Sequence, residues 1–277
     1  MNERDALFRS VIETPDDDAP RLVFADWLDE NGEEPRAEFV RLQCAIARRL
    51  AVDRVVTDDD AFCSMCDRQN YLLNRHRSAW MRELAEWCEP QFFRRGFVAG
   101  VQVSAERWLE LGGELRSATP LERVAFTGTP RYFARLMADE GLAGLSSVSF
   151  ASNGLSVQHM VRVTRCRAWP RLKGLSLAGN LFGPTAVRVL TESELAGRLE
   201  HLDLSNNTLG DDGLYLLARS PRLANLRTLQ VTGTRVGDAA VHAVMESPHL
   251  RRLKWFRVGE GISPATRRLM ESRFPGL

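Results

Sequence analysis

Two sets of residues have types and spacings that chemistry could use. Cys63-Ser-Met-Cys66 places two thiols three positions apart, with His76 and Cys88 downstream as completing ligands. Four such donors are what tetrahedral zinc takes, but one CxxC without a second is a weak form of that signature. The following "LLNRHRSAWM", with Trp80, Leu84 and Trp87, reads as a packed helix, and the preceding "TDDDAF" as a loop or helix start. No metal is therefore favoured, and zinc at Cys63 and Cys66 stays the weaker alternative to incidental thiols. The second set is His201, Asp203 and Ser205, which alternate along one short strand. Neighbours two apart on a strand stand ~6.8 Å apart and point in parallel. They do not converge as a nucleophile and its base must, so the set reads as polar surface. "LGGEL" and "VGEGIS" lack the spacing and the lysine of a phosphate loop. No constellation supports an enzyme.

The acidic stretch Asp16-Asp17-Asp18 precedes a helix start, where the free N–H groups and dipole favour negative charge. Asp26 and Glu38 have Arg21 or Arg36 available as ion-pair partners, so these carboxylates read as structural rather than as a metal or catalytic cluster.

Internal repetition positions everything else. "LSSVSFASN" begins at Leu145, "LKGLSLAGN" at Leu172, "LEHLDLSNN" at Leu199 and "LRTLQVTGT" at Leu226, three successive offsets of 27 residues. The frame extends back to "LERVAFTGT" at Leu121 and "VAGVQVSAE" at Val98, and forward to "LRRLKWFRV" at Leu250, with shorter outer offsets. Its first, fourth and sixth positions are apolar, as a strand with one buried face requires. The ninth is Asn153, Asn180 and Asn207, then Thr234. An amide there can satisfy main-chain groups of a buried turn. Helix starts follow at Ser156, Pro184, Asp211 or Asp212 and Asp238, then apolar pairs three apart: Met160/Val163, Val187/Leu190, Leu214/Leu217 and Val241/Val244. Each unit is strand, turn, helix and return, and buries its faces only by stacking on neighbours.

The pattern resembles a leucine-rich repeat array of the ribonuclease-inhibitor-like subclass over residues 97–277. The resemblance implies an α/β solenoid of about seven strand-helix units behind an N-terminal all-α cap. Thr129 and Thr234 depart from the asparagine column, and Arg131 and Asp139 occupy apolar columns of the second unit. Residues 1–50 read as three short helices around Leu22, Val23, Phe24, Trp27, Leu28, Phe39, Val40 and Leu42, and residues 51–96 as a helical connector. "PDDDAPRLVFADWLDENG" with "RAEFVRLQ" resembles a short repeat-companion domain common at the N-termini of planctomycete proteins, often beside leucine-rich repeats. "FFRRGFVAGVQVSAERWLELGGELRSATPLERV" resembles that family's entry into its first repeat. That family implies fold more than biochemistry.

Hydrophobic residues make up 44% and charged residues 26% of the 277, values of a folded globular chain that exclude wholesale disorder. A net charge of +1 supplies no global field for nucleic acid or membrane. "MNERDALFRS" contains no apolar stretch of the signal-peptide kind, and nothing approaches a membrane span. With five cysteines read as reduced thiols, the expected setting is the cytoplasm, and the planctomycete resemblance implies a bacterium. Residues 1–38 carry twelve acidic and four basic side chains, whereas Arg251, Arg252, Lys254, Arg257, Arg267, Arg268 and Arg273 crowd the other end. Positions three, five and seven of the frame should line the concave face. On it Arg123, His201, Asp203, Gln230, Arg252, Lys254 and Phe256 are the candidate partner-binding residues, with Trp255 beside Phe256. The expected function is a non-catalytic adaptor or scaffold that recognises a protein. The alternatives are an inhibitor or regulatory subunit that covers a partner enzyme, and a small zinc-dependent binding module. Nucleic acid is not an expected partner.

Overall fold

The computed structural model describes residues 2–52 and 59–274. Thr57 and Asp58 of the "TDDDAF" stretch, and the last three residues of the expected array, lie outside them. The chain divides into two compact units, one of Met1–Gln102 with Glu110–Glu122 and one of Val103–Leu109 with Arg123–Leu277.

The first unit opens with α1 (Glu3–Glu13), α2 (Ala19–Glu30), α3 (Glu34–Val52) and α4 (Asp60–Ala85). The expected helical connector does not stay helical. After α4 the chain forms β1 (Glu89–Arg94), which pairs antiparallel with the following β2 (Phe97–Ser104). α5 (Ala105–Ala118) comes next. The hairpin turns on Arg95 and Gly96, with φ of 49° and 89°, the two left-handed residues that suit the twist of a tight hairpin. Gly96 is required for a second reason. A Cβ there would lie 2.8 Å from Val40 Cα, and the Gly96 N–H donates to Gln43 Oε1 at 2.6 Å. Any larger residue would push the hairpin off α3.

Val11, Phe24, Ala25, Leu28, Ala37, Val40, Cys44 and Phe97 form the small core, with Leu22 and Trp27 packed against it. Val23 is instead 52% exposed. The acidic stretch is structural. Asp18 pairs with Arg95 at 3.3 Å and Arg48 at 3.6 Å, and Asp17 Oδ1 accepts from Ala19 N at 2.9 Å. The partners of Asp26 and Glu38 differ from expectation: Asp26 pairs with Arg41 at 2.7 Å and Glu38 with Arg68 at 2.7 Å. Arg21 and Arg36 turn inward instead, Arg36 among aromatic rings. Arg21 is 1% exposed and donates through Nη1 to the carbonyls of Asp17 and Thr14.

The second unit alternates strand and helix: β3 (Arg123–Thr127), α6 (Thr129–Leu136), β4 (Ser147–Ser149), α7 (Val157–Arg165), β5 (Gly174–Ser176), α8 (Pro184–Thr191), β6 (His201–Asp203), α9 (Gly210–Arg219), β7 (Thr228–Val231), α10 (Asp238–Met245), β8 (Trp255–Val258) and α11 (Pro264–Arg273). From β3 to β8 each strand pairs in parallel with the next. The apolar residues at frame positions one, four and six are buried, and so are the helical pairs Met160/Val163, Val187/Leu190, Leu214/Leu217 and Val241/Val244. The two faces therefore bury each other within and between repeats.

The asparagine column carries the turns. Asn180 Nδ2 reaches the carbonyls of Phe150 and Leu177 at 2.9 Å, and its Oδ1 accepts from Leu155 N at 2.9 Å and Asn153 N at 3.2 Å. Asn207 repeats this one unit on, donating to Leu177 and Leu204 carbonyls at 2.9 Å and accepting from Phe182 N at 3.1 Å. The Thr234 hydroxyl instead donates within its own repeat, to Val231 O at 2.6 Å, and its carbonyl accepts from Gly210 N at 3.0 Å. Aspartates tie successive helix starts: Asp211 Oδ1 accepts from Gly237 N at 2.7 Å, and Asp238 Oδ1 from Ser263 N at 2.8 Å. Asp139, out of pattern in its column, accepts from Trp108 Nε1 at 2.6 Å.

The last repeat departs from the expected frame. β8 pairs Thr228 with Trp255, Leu229 with Phe256 and Val231 with Val258. The repeat thus starts at Leu253, and its offset from Leu226 is again 27 residues, not 24. Leu250 and Leu253 both suit position one, and the earlier one misassigns the strand by three residues. An odd slip reverses every side chain between core and surface.

Candidate interaction face

The parallel ladder leaves one side uncovered by its own helices, and register brings side chains into rows there. One row runs Arg123, Ser147, Gly174, His201, Thr228, Trp255, and the next Ala125, Ser149, Ser176, Asp203, Gln230, Arg257. Of the candidate residues, Arg123, His201, Asp203 and Gln230 sit in these rows, exposed or half-buried. Phe256 does not: it is fully buried, its ring edge-on to Phe274 at 6.0 Å. Arg252 lies in the return before the strand and donates to Asn225 Oδ1 at 2.9 Å. Lys254 stands one residue before β8, at the edge of the ladder. Trp255 and Arg257 take the face positions instead, with the guanidinium carbon of Arg257 6.0 Å from the Trp255 ring centre. Ser205, expected beside Asp203, is buried.

Charge at the second frame position does not choose between the two starts, because Arg251 and Lys254 both supply it. Lys173, Glu200, Arg227 and Lys254 recur every 27 residues. Glu200 bridges Lys173 at 3.1 Å and Arg227 at 2.9 Å. Burial pushes the Glu200 carboxyl up, but the hydrogen bond and charge of Lys173 and the charge of Arg227 outweigh it and hold the group below its usual range. This line of charge borders the face.

Polar contacts on the face run between strands. His201 Nδ1 lies 2.9 Å from Thr228 Oγ1, and Ser176 Oγ donates to Asp203 Oδ2 at 3.2 Å. Asp203 Oδ1 accepts from Ser205 N at 2.9 Å. His201 is engaged by Thr228 and Asp203 by Ser176 and the Ser205 N–H, while the buried Ser205 hydroxyl bonds to neither, so the three make no hydroxyl-imidazole-carboxylate relay. Burial lowers the His201 pKa, the charges of Arg123, Arg227 and Lys173 add to that, and Glu200 opposes them. The imidazole is neutral near pH 7 and acts as a donor-acceptor surface. Gly174 has no room for a side chain, because a Cβ would lie 2.6 Å from Ser147 Oγ. The middle of the face is therefore low, flanked by Arg123 on one side and by Trp255 with Arg257 on the other.

Cys63 and Cys66 lie on α4, exposed and half-buried. Burial, then the neighbouring Cys63 and Asp67, raises the Cys66 pKa, the opposite of what a thiolate ligand needs. His76 is ten residues further along the same helix, ~15 Å away by helical rise, and stacks on Trp80. Cys88, half-buried, donates to Leu84 O, and burial pushes its thiol up to about 11. Among the described residues no three His, Cys, Asp or Glu side chains are grouped to hold a metal ion. Nor is any described helix long and apolar enough to cross a membrane.

A family profile described as "Leucine Rich repeat" matches residues 199–218, the unit of β6 and α9. No curated protein sequence matches the chain. Among solved structures, an internalin from Listeria monocytogenes is similar at 16% identity and a TM-score of 0.34, over 55% of this chain and 46% of its own. The chain thus spans less than half the length of that protein. What stands plainly is an α/β protein of alternating strand-helix units with a leucine-rich repeat-type segment and an N-terminal helical unit.

Proposed function

We propose that the strand-helix units form a ribonuclease-inhibitor-like leucine-rich repeat array, and that the uncovered face of its ladder receives a protein partner, making the chain an adaptor or scaffold. The observation that carries this is the register itself. It assembles two rows of small polar side chains around a low centre at Gly174, with Arg123 at one end and the Trp255–Arg257 pair at the other. An aromatic and an arginine side by side are the residue types that dominate protein-interface energetics. Small side chains between them leave room for a protruding loop or helix of the partner. The reading includes a division into a repeat-companion domain at 1–50, a connector at 51–96 and the repeat array at 97–277, and a reducing cytoplasmic setting for the free thiols.

The chain has only two lysines, Lys173 and Lys254, and both border this face. Amine labelling of the protein with and without a partner purified from the native cell is therefore a direct test. Protection of both lysines, with loss of the complex on Trp255→Ala plus Arg257→Glu, supports the face. Full labelling of both in a saturated complex moves the function elsewhere.

A further inference from the structure

A cavity in the first unit has a composition that the repeat array does not explain. It measures about 340 Å³ and is walled by Phe8, Phe24, Leu28, Trp80, Leu84 and Phe97, with Arg36 among its lining residues. Such a volume lies at the small end of the range for ligand sites, ~300–1,000 Å³. The Arg36 guanidinium is set inside a box of rings. Its carbon lies 4.7 Å from the centre of Trp80, 5.3 Å from Phe93, 5.5 Å from Phe97 and 5.8 Å from Phe39. Nη1 is sealed from solvent and donates to nothing among the described residues. Burial drives the pKa of Arg36 down to about 9, with the Glu33 carboxylate opposing, so it still carries its charge near pH 7.

Ring faces attract a cation but do not accept its N–H in-plane hydrogen bonds. Where Arg36 lines the cavity, a carboxylate can add charge-assisted bonds to the guanidinium edge, which the rings cannot supply. The walls then ask for an apolar body behind that carboxylate. The exposed rim carries Asp5 and Glu33 beside Arg4, so a multiply charged anion such as phosphate meets repulsion on entry while a single carboxylate meets less.

We propose that this cavity binds a small apolar carboxylate, its head on Arg36 and its aryl or alkyl body against Phe8, Phe24, Leu84 and Phe97. The site is independent of the ladder face, and a failure here leaves the adaptor reading intact.

The test is calorimetric titration of the full chain with phenylacetate and octanoate, against the neutral phenylacetamide and octanamide. At least one acid should bind with a dissociation constant below about 1 mM, and its amide at least ~10-fold more weakly, the worth of a charge-assisted hydrogen bond. Arg36→Met should abolish binding. Leu84→Trp, which fills the cavity without touching the charge, should abolish it too and covers the case in which the arginine variant does not fold. Absence of binding by both acids, equal binding of acid and amide, or binding retained in Leu84→Trp overturns the proposal.

Discussion

The two units solve the burial of polar groups in opposite ways. In the repeat array each difficult group recurs. The main-chain atoms of three successive turns meet an asparagine at a fixed place, and the charges of Lys173, Glu200 and Arg227 alternate along one edge. In the N-terminal helical unit each is met singly. Arg21 is buried on two carbonyls, Arg36 sits among four rings, and Gln43 reaches across to the hairpin at Gly96. A repeating solution shows itself in sequence because the same residue type returns at the same interval. A unique one leaves no period to detect.

Phe256 gives the largest effect. If the last repeat keeps the 27-residue interval, Phe256→Ala opens a cavity in the terminal core and costs roughly 3–5 kcal/mol in denaturant unfolding. Lys254→Ala should stay within about 0.5 kcal/mol. The shorter interval predicts a Phe256 variant as mild as the lysine one.

The asparagine column comes next. Asn180→Ala strands the N–H groups of Leu155 and Asn153 and the carbonyl of Phe150, while Leu177 O keeps its bond from Asn207, so a loss of roughly 2–4 kcal/mol is expected by the same measurement. Thr234→Ala removes one bond and should cost about 1 kcal/mol. Equal costs would mean that the column is not what holds the turns.

The smallest effect is a titration. His201 should titrate below the usual ~6.5 by proton NMR, and Arg123→Ala should raise it. Because the folded pKa is depressed, the unfolded chain takes up the proton first as pH falls. The contribution of His201 to stability is present above the unfolded value and is lost as pH drops through the folded one. An imidazole that titrates above its unfolded value would mean that Glu200, not burial and the arginines, governs it.

How far the fold was legible follows from the same contrast. The strands at 147, 174, 201 and 228 and the amides at 153, 180 and 207 stand in the sequence as a period, so the alternating architecture and most of the face could be read from it. The last strand could not, because leucines at 250 and 253 offer two starts and only hydrogen-bonded pairing chooses between them. That choice moved Phe256 into the core and brought Arg257 onto the face beside Trp255. β1 was hidden inside a segment dominated by the long helix α4, where "EPQFFR" is too short to declare a strand before its partner is known. Arg21 and Arg36 looked like surface partners for nearby carboxylates. Arg41 and Arg68 have the geometry for those carboxylates, which leaves Arg21 and Arg36 to the interior.

The central claim is that recognition runs through the ladder face in the register seen at β8. Its most direct test is the affinity of a purified partner for two double variants, Trp255→Ala with Arg257→Glu and Arg252→Glu with Phe256→Leu. The face account predicts a loss of at least ~100-fold for the first pair, the scale of two interface anchors, and less than ~3-fold for the second once its folding is verified. Loss confined to the second pair would contradict it.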